Sequence, residues 1–345
     1  MDVIRPNRLR AGDTVAVLSM SWGGPAVFPH VFEAGCTMLT ERLGLRIREY
    51  PTTRLRSGSP SADPRARAAD LNAAFADESV AAIFAAIGGD DSALILPHLD
   101  AELIRAHPKV LMGYSDTVTQ LVFCHLLGLV TFNGPSVMAG FAQMSHFITA
   151  EAHVRSLLME PAPTFTYEPY SQWIDGYADW NDVENAAQIG ELRPHDGWHW
   201  LNGAGRRSGW LFGGCVEALE FLKGSRYWPA EAFWHDRILF LETSEEMPTI
   251  DQLRYWLFNY GVQGVFDRAA GLLIGRARGY TDDDKAALDA MVRDVVVRQF
   301  GAAELPIVTN MDFGHTDPQW IVPLGVLAEL DSDAQTFRLL EPAVL

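Results

Sequence analysis

Cysteine is scarce in this chain, with three residues, Cys36, Cys124 and Cys215, among 345. The number is odd, the spacings are wide and the neighbours are apolar. That excludes a disulfide framework and a thiolate metal site, and leaves three small buried hydrophobes. Positive charge is also short. Lys and Arg total 27 against 44 Asp and Glu, a formal net charge of -17. Nucleic acids and anionic membrane surfaces need clustered positive charge, so neither is expected as a partner. No apolar run reaches the roughly 20 residues that span a bilayer; "VAAIFAAIGG" and "LVFCHLLGLVTF" are the longest. The opening "MDVIRPNRLRAGDTV" has no apolar core of a signal peptide, and the expected location is the cytoplasm. There is no internal repeat and no low-complexity segment. Apolar residues make up 48% and charged residues 21%, which is the composition of an ordinary globular protein with a sizeable core. The length suggests about two domains.

Strands and helices alternate through the first half. "DTVAVLSMS" reads as a buried strand running into a "WGGP" loop, followed by a helix over 31–43 and a short strand "GLRIREY". Residues 57–64, rich in Ser, Pro and Gly, read as a loop. "DPRARAADLNAAFAD" is helical, "VAAIFAAIGG" a strand, "SALILPHLD" the start of a helix. "HPKVLMGYS", "DTVTQLVFCHLLG" and "LVTFNGPSV" continue as strand, helix, strand. Continuously apolar strands between helices indicate a parallel sheet covered on both faces. "MEPAPTFTYEPYSQWIDG" has no periodicity and reads as a connection. In the second half "GWLFGG", "RILFLE", "AAGLLIG" and "LPIVTNMDFGH" read as strands. "TIDQLRYWLFNYG" and "TDDDKAALDAMVRDVVVRQFG" read as helices, and "GVLAELDSDAQTFRLLE" as a closing hairpin. The expected organisation is an α/β domain over 1–160, a connection over 161–200 and a second α/β domain over 201–345.

Two corners at strand ends carry the chemistry. In "GYSDT", Ser115 sits between a buried strand and a helix, with the Asp116 N–H at the helix start. That is the placement a nucleophile elbow needs, although the second glycine of G-x-S-x-G is missing. A serine there is equally a helix cap. In "AAIGGDDS", Gly88 and Gly89 permit close approach of a ligand to the backbone, or form an ordinary turn. Both corners lie at the carboxyl ends of parallel strands, where open α/β sheets bind ligands. A serine nucleophile needs a base and an orienting carboxylate. Of ten histidines, His315 is best placed, on a loop after a strand in "NMDFGHTDP". Glu242 ends the apolar strand "RILFLE", where an acid is costly without a partner; Glu217 in "GGCVEAL" is its competitor. His195 and His199 in "HDGWHW" are separated by Gly197 and Trp198, which spoils a helical ligand pair, and no third ligand is apparent. Neither a metal nor a cofactor is expected.

"GYSD", "LFGGCVEAL", "LFLE" and "DFGHT", in that order, resemble the LD-carboxypeptidase family of serine peptidases. "IGGDDSALILPHLD" and "WLNGAG…GWLFGG" are similar to its branch of microcin C self-immunity (MccF-like) proteins. The resemblance spans almost the whole chain. It implies a flavodoxin-like N-terminal domain with a smaller C-terminal α/β domain, typically in a homodimer. It also implies a Ser–His–Glu triad of Ser115, His315 and Glu242, with Asp116 and Gly88 or Gly89 supplying oxyanion N–H groups. Substrates implied are a peptidyl- or aminoacyl-nucleotide amide, or the terminal D-alanine of a murein tetrapeptide. One departure is Cys215, standing where many members have asparagine.

Five of ten tryptophans fall between 173 and 210, in a polar, acidic stretch unlike a core segment. Trp173, Trp180 and Trp198 are the expected substrate-facing rings of a lid over Ser115, since an indole stacks on a nucleobase. Two other classes fit part of the pattern. "GGDDS" is similar to the "GGDGT" turn of NAD kinase-like phosphotransferases, but Asp91 replaces the flexible glycine. A solute-binding protein also uses two α/β domains around a cleft.

Overall fold

The computed structural model describes residues 3–56, 58–59 and 63–345. Within the loop expected over 57–64, residues 57 and 60–62 lie outside the described residues. The strands, in chain order, are β1 (Thr14–Leu18), β2 (Arg46–Glu49), β3 (Val80–Ala85), β4 (Val110–Gly113), β5 (Thr131–Asn133), β6 (Phe165–Tyr167), β7 (Gln172–Ile174), β8 (Leu192–Pro194), β9 (His199–Asn202), β10 (Arg206–Cys215), β11 (Arg237–Glu242), β12 (Gly271–Gly275), β13 (Ile307–Met311), β14 (Val322–Leu324), β15 (Leu327–Asp331) and β16 (Thr336–Leu339).

The first sheet has the order β14-β5-β4-β3-β1-β2. From β5 to β2 every pairing is parallel. Its central strands are apolar throughout because helices cover both faces; β4 is buried at every position. Helix starts follow local chemistry. Asp63 accepts from the Ala66 N–H ahead of Pro64–Ala76, with proline in the first turn. Thr249 and Gln252 form a reciprocal cap on Ile250–Val262. Thr281 caps Asp282–Arg293, whose first turn carries Asp282, Asp283 and Asp284 beside the positive end of the helix dipole.

The second sheet has the order β6-β16-β15-β10-β11-β12-β13-β9. Its centre, β10 to β13, is parallel, and antiparallel strands flank it. The expected closing hairpin is β15–β16. The stretch expected as a bare connection contributes strands instead: β6 and β9 take the two edges of the second sheet, and β7–β8 form a separate ladder. In return, β14 of the C-terminal half pairs antiparallel with β5 and completes the first sheet.

The sheets meet at the corner that carries Ser115. Gly214, at φ +142°, faces Val118 at the start of helix Val118–Leu126, and a Cβ there would lie 2.8 Å from a Val118 methyl. Glycine lets β10 press against the turn that carries Ser115. All three cysteines are buried and free, and burial pushes the Cys36 thiol up to about 12. Among the described residues no helix is long and apolar enough to cross a membrane.

Candidate active site

Ser115 follows β4 with φ +59°, a left-handed conformation that a non-glycine residue holds only under constraint. It opens a 3-10 turn, Ser115–Thr117, leading into helix Val118–Leu126. Its hydroxyl makes no capping bond, and the turn's N-cap position is Tyr114. Among the described residues, the cap role expected beside the nucleophilic one is therefore absent. Gly88 packs on the corner so closely that a Cβ would lie 2.8 Å from Ser115 Cβ and 2.9 Å from Ser115 Oγ, with the Asp116 N at 3.5 Å. Gly89, at φ +152°, has a Cβ position 2.6 Å from the Trp22 N. Among the described residues, neither the Gly88 nor the Gly89 N–H has a backbone partner. The Asp116 side chain turns inward and accepts from the Ser92 N–H at 2.8 Å, and burial raises its carboxyl above the usual range. The next turn residue, Asp91, is held by Arg67 and Ser21.

Glu242 closes β11 with no exposed surface. Two glycines make room for it. A Cβ on Gly275 would fall 2.9 Å from Glu242 Cβ, and one on Gly314, at φ +102°, only 2.7 Å. The loop after β13 then brings His315 in, and its Nδ1 lies 2.6 Å from Glu242 Oε2. The imidazole is 3% exposed and stands edge-on to the Tyr114 ring, centroids 4.8 Å apart. Its other nitrogen, Nε2, is buried without a hydrogen-bond partner among the described residues. Glu245 Oε2 is 3.1 Å from it, at ion-pair range. Burial alone would lower the histidine's proton affinity, but the carboxylates of Glu242 and Glu245 outweigh it and raise the pKa to about 10.

Ser115, His315, Gly88 and Gly89 share one cavity of about 520 Å³. Its walls include Trp22, Phe28, Tyr177, Trp180 and Arg278. Trp180 packs edge-on to Phe28 at 5.7 Å and beside Tyr177 at 5.5 Å. Tyr177 links back to the end of β4 through its hydroxyl, 2.9 Å from that of Tyr114.

The other two tryptophans lie elsewhere. Trp173 is 4% exposed, with Arg276 and Lys285 over its ring at 4.7 and 5.0 Å. Trp198 donates from Nε1 to Asp312 at 2.8 Å. Both belong to a brace under the His315 loop, because cations and a buried carboxylate give their rings better partners than solvent. Asp312, fully buried, also pairs with Arg276 and His195. It accepts from the Tyr170 N–H as well, and its own carbonyl accepts from the Trp320 N–H, closing the loop. The Ile174 N–H donates to the Asp317 carbonyl at 2.7 Å. His199 faces Asp289 and Asp196, and His195 faces Asp312 with Asp196 at 3.8 Å, so the two share only Asp196.

Glu217, the competing acid, accepts from the N–H and hydroxyl of Ser244 at 2.9 and 2.8 Å, pinning the turn after β11. Cys215 is buried and its thiol donates to Glu217 at 3.4 Å. Sequence reasoning missed Glu245, Arg278 and Tyr177. "ETSEE" offered a signal for the first, an acid three residues beyond Glu242 on a turn, but nothing marked the other two.

The LD-carboxypeptidase N-terminal domain matches residues 15–134, and the LD-carboxypeptidase C-terminal domain matches residues 208–330. The chain is 29% identical to a putative carboxypeptidase of Vibrio cholerae over 96% of each chain. It is 28% identical to the microcin C7 self-immunity protein MccF of Escherichia coli, over 96% of this chain and 94% of that one. A solved structure of MccF in complex with glutamyl sulfamoyl guanosine aligns with a TM-score of 0.86 at 25% identity, covering 99% of both chains. A peptidase lineage over both halves sets aside the phosphotransferase and solute-binding readings, and the Asp91–Arg67 pair leaves the "GGDDS" turn pinned rather than open. The chain belongs to the LD-carboxypeptidase family of serine peptidases.

Proposed function

We propose that this enzyme hydrolyses peptidyl- or aminoacyl-nucleotide amide bonds with a Ser115–His315–Glu242 triad. The observation that carries the reading is the His315 imidazole, fixed by Glu242 on one nitrogen and left without a hydrogen bond on the other, in the same cavity as a strained serine. Glu242 accepts a hydrogen bond from the Nδ1–H and holds the tautomer. His315 Nε2 takes the Ser115 proton as Oγ bonds to the amide carbonyl carbon. The N–H groups of Asp116 and of Gly88 or Gly89 receive the oxyanion, each such donor supplying ~3 kcal/mol of barrier lowering. The C–N bond breaks as His315 returns the proton to the leaving nitrogen. Water, deprotonated by the same histidine, then cleaves the acyl-serine ester.

Five aromatic rings in the cavity favour a nucleotide leaving group, with Trp180 as the stacking surface. The relative MccF is solved with an aminoacyl sulfamoyl nucleotide. Arg278 supports a second reading. It lines the cavity and has no carboxylate within ion-pair range among the described residues, so it can anchor the terminal carboxylate of a murein tetrapeptide as well as an anionic nucleotide linkage. Purified enzyme assayed on aminoacyl-sulfamoyl adenylates and on the tetrapeptide, with Ser115→Ala as control, separates the two. Release of D-alanine with untouched adenylates would replace the first reading by the second. Turnover surviving in Ser115→Ala would remove the triad.

A further inference from the structure

The cavity is unevenly charged. Asp90, Asp179, Glu245 and Glu246 line it, against Arg278 and the imidazole of His315. Asp90 and Glu246 are exposed and pair with no cation among the described residues. Asp179 is occupied locally by Asn181.

Glu245 is the acid nearest the chemistry. Its Oε2 stands 3.1 Å from His315 Nε2, the nitrogen that has to take the serine proton. The contact lacks hydrogen-bond geometry, and Nε2 remains buried and without a hydrogen-bond partner among the described residues. The Glu245 side chain is 53% exposed. Its backbone is anchored, since the preceding Ser244 is tied to Glu217. The head group is thus free to move while its stem is fixed.

In this position the carboxylate opposes catalysis. It stabilises the imidazolium, and an imidazolium cannot accept a proton. The other groups facing His315 do not relieve it. Glu242 holds Nδ1, Tyr114 presents a ring, and Asp317 on the histidine's own loop adds a further acid. Arg278 lies across the cavity, close enough to act on Glu245. A cation brought in by the ligand would draw Glu245 off the histidine, and Nε2 would then release its proton to solvent.

We propose that the cavity takes an acyl donor bearing a positive charge beside the scissile carbonyl, and that Glu245 reads this charge and frees His315 as it does so. The proposal rests on the Ser115–His315 reading and names its substrate class. A basic side chain as the source of the charge would set this chain apart from MccF, which is solved with a glutamyl nucleotide; an α-ammonium is common to both. The charge has two sources, an α-ammonium group or a basic side chain.

The test uses lysyl-, methionyl- and glutamyl-sulfamoyl adenylates, each with a free and an acetylated α-amine. Hydrolysis is followed with wild type, Glu245→Gln and Glu245→Lys, and binding with Ser115→Ala. Wild type is expected to prefer lysyl over glutamyl by at least about tenfold in kcat/KM, the size of one good charge contact. Glu245→Gln should erase most of that preference and move the acid limb of kcat/KM to lower pH, and Glu245→Lys should reverse the preference. If acetylation abolishes methionyl turnover but spares lysyl, both sources serve. If it abolishes both, the α-ammonium is the group read. If it touches neither while lysyl stays preferred, the side chain alone is read. Equal turnover of lysyl and glutamyl forms, indifferent to acetylation, would overturn the proposal and leave the hydrolase reading intact. If no adenylate is cleaved, the hydrolase reading fails. The binding preference of Ser115→Ala for lysyl over glutamyl then decides the charge question by itself, equal affinities counting against it.

Discussion

Gly314 and Glu242 are packed so tightly that a Cβ on the glycine would lie 2.7 Å from both the Cβ and the Oε2 of the glutamate. The glycine also sits at φ +102°, so it is required twice, for backbone and for space. Gly314→Ala should therefore push Glu242 or the His315 loop out of place. We expect at least a hundredfold loss of kcat with a lowered melting temperature. Wild-type turnover in this variant would mean that the Glu242–His315 contact is dispensable.

Ser115 carries strain without a compensating hydrogen bond. Ser115→Ala should lose at least ~10⁴-fold in kcat with an unchanged melting temperature, since its hydroxyl holds nothing in the fold. Ser115→Gly should be equally inactive and melt at or above the wild-type temperature, because glycine adopts φ +59° freely. A large drop in stability in either variant would point to a structural role for the hydroxyl.

The two acids near β11 should separate by readout. Glu242→Gln removes the acceptor that fixes the His315 tautomer, and we expect a loss of about 10³–10⁴-fold in kcat. Glu217→Gln weakens a hold on Ser244 and should cost about 1–2 kcal/mol of stability with a far smaller effect on kcat. The reverse order in kcat would exchange their roles.

Trp180 and Trp173 should part in the same way. Trp180→Ala should raise KM for an aminoacyl-sulfamoyl adenylate by about tenfold or more with little change in melting. Trp173→Ala opens a hole under Arg276, Lys285 and Arg193 and should cost about 3–5 kcal/mol, seen in denaturant unfolding. Unchanged affinity in Trp180→Ala would remove the stacking surface.

Asp312 predicts a pH effect on folding. Burial opposes its ionisation, but Arg276 and His195 win and hold the carboxyl below its usual range. A group with a depressed folded pKa stabilises above its unfolded pKa, near 4, and loses that contribution as pH falls through the folded value. The wild type should thus lose stability steeply below about pH 4. Asp312→Asn should start several kcal/mol lower, about 3–5, because Arg276 is left buried and unpaired, and should show a shallower acid decline. Parallel pH curves for the two proteins would contradict the assignment.

How much of this was legible beforehand follows from length and burial. β1, β3, β4, β11, β12 and β13 are apolar strands between helices, so composition alone marks them. Ser115, Glu242 and His315 end or follow such strands, and the family resemblance assigned them roles. β6, β7 and β8 have three residues each, and β8 is exposed at all of them. Runs that short carry no periodicity, and their pairing is decided by partners far away in the chain. Trp180 lines the cavity as expected, but Trp173 and Trp198 do not, for a related reason. Their setting is polar because it contains Arg276, Lys285 and Asp312, and those arrive from the other half. Glu245 was hidden by being an ordinary acid on a turn until the fold set it against His315.

β14 has a consequence for how the protein is made. It is the partner of β5 at the edge of the first sheet, yet it is separated from β5 by the whole second sheet except the closing hairpin. The sheet begun first is finished only after most of the second has been made. Until residue 324 emerges, β5 presents an open edge beside the strand that carries Ser115, and such edges pair with neighbouring chains. A nascent chain that has not yet reached β14 therefore carries an adhesive edge next to β4.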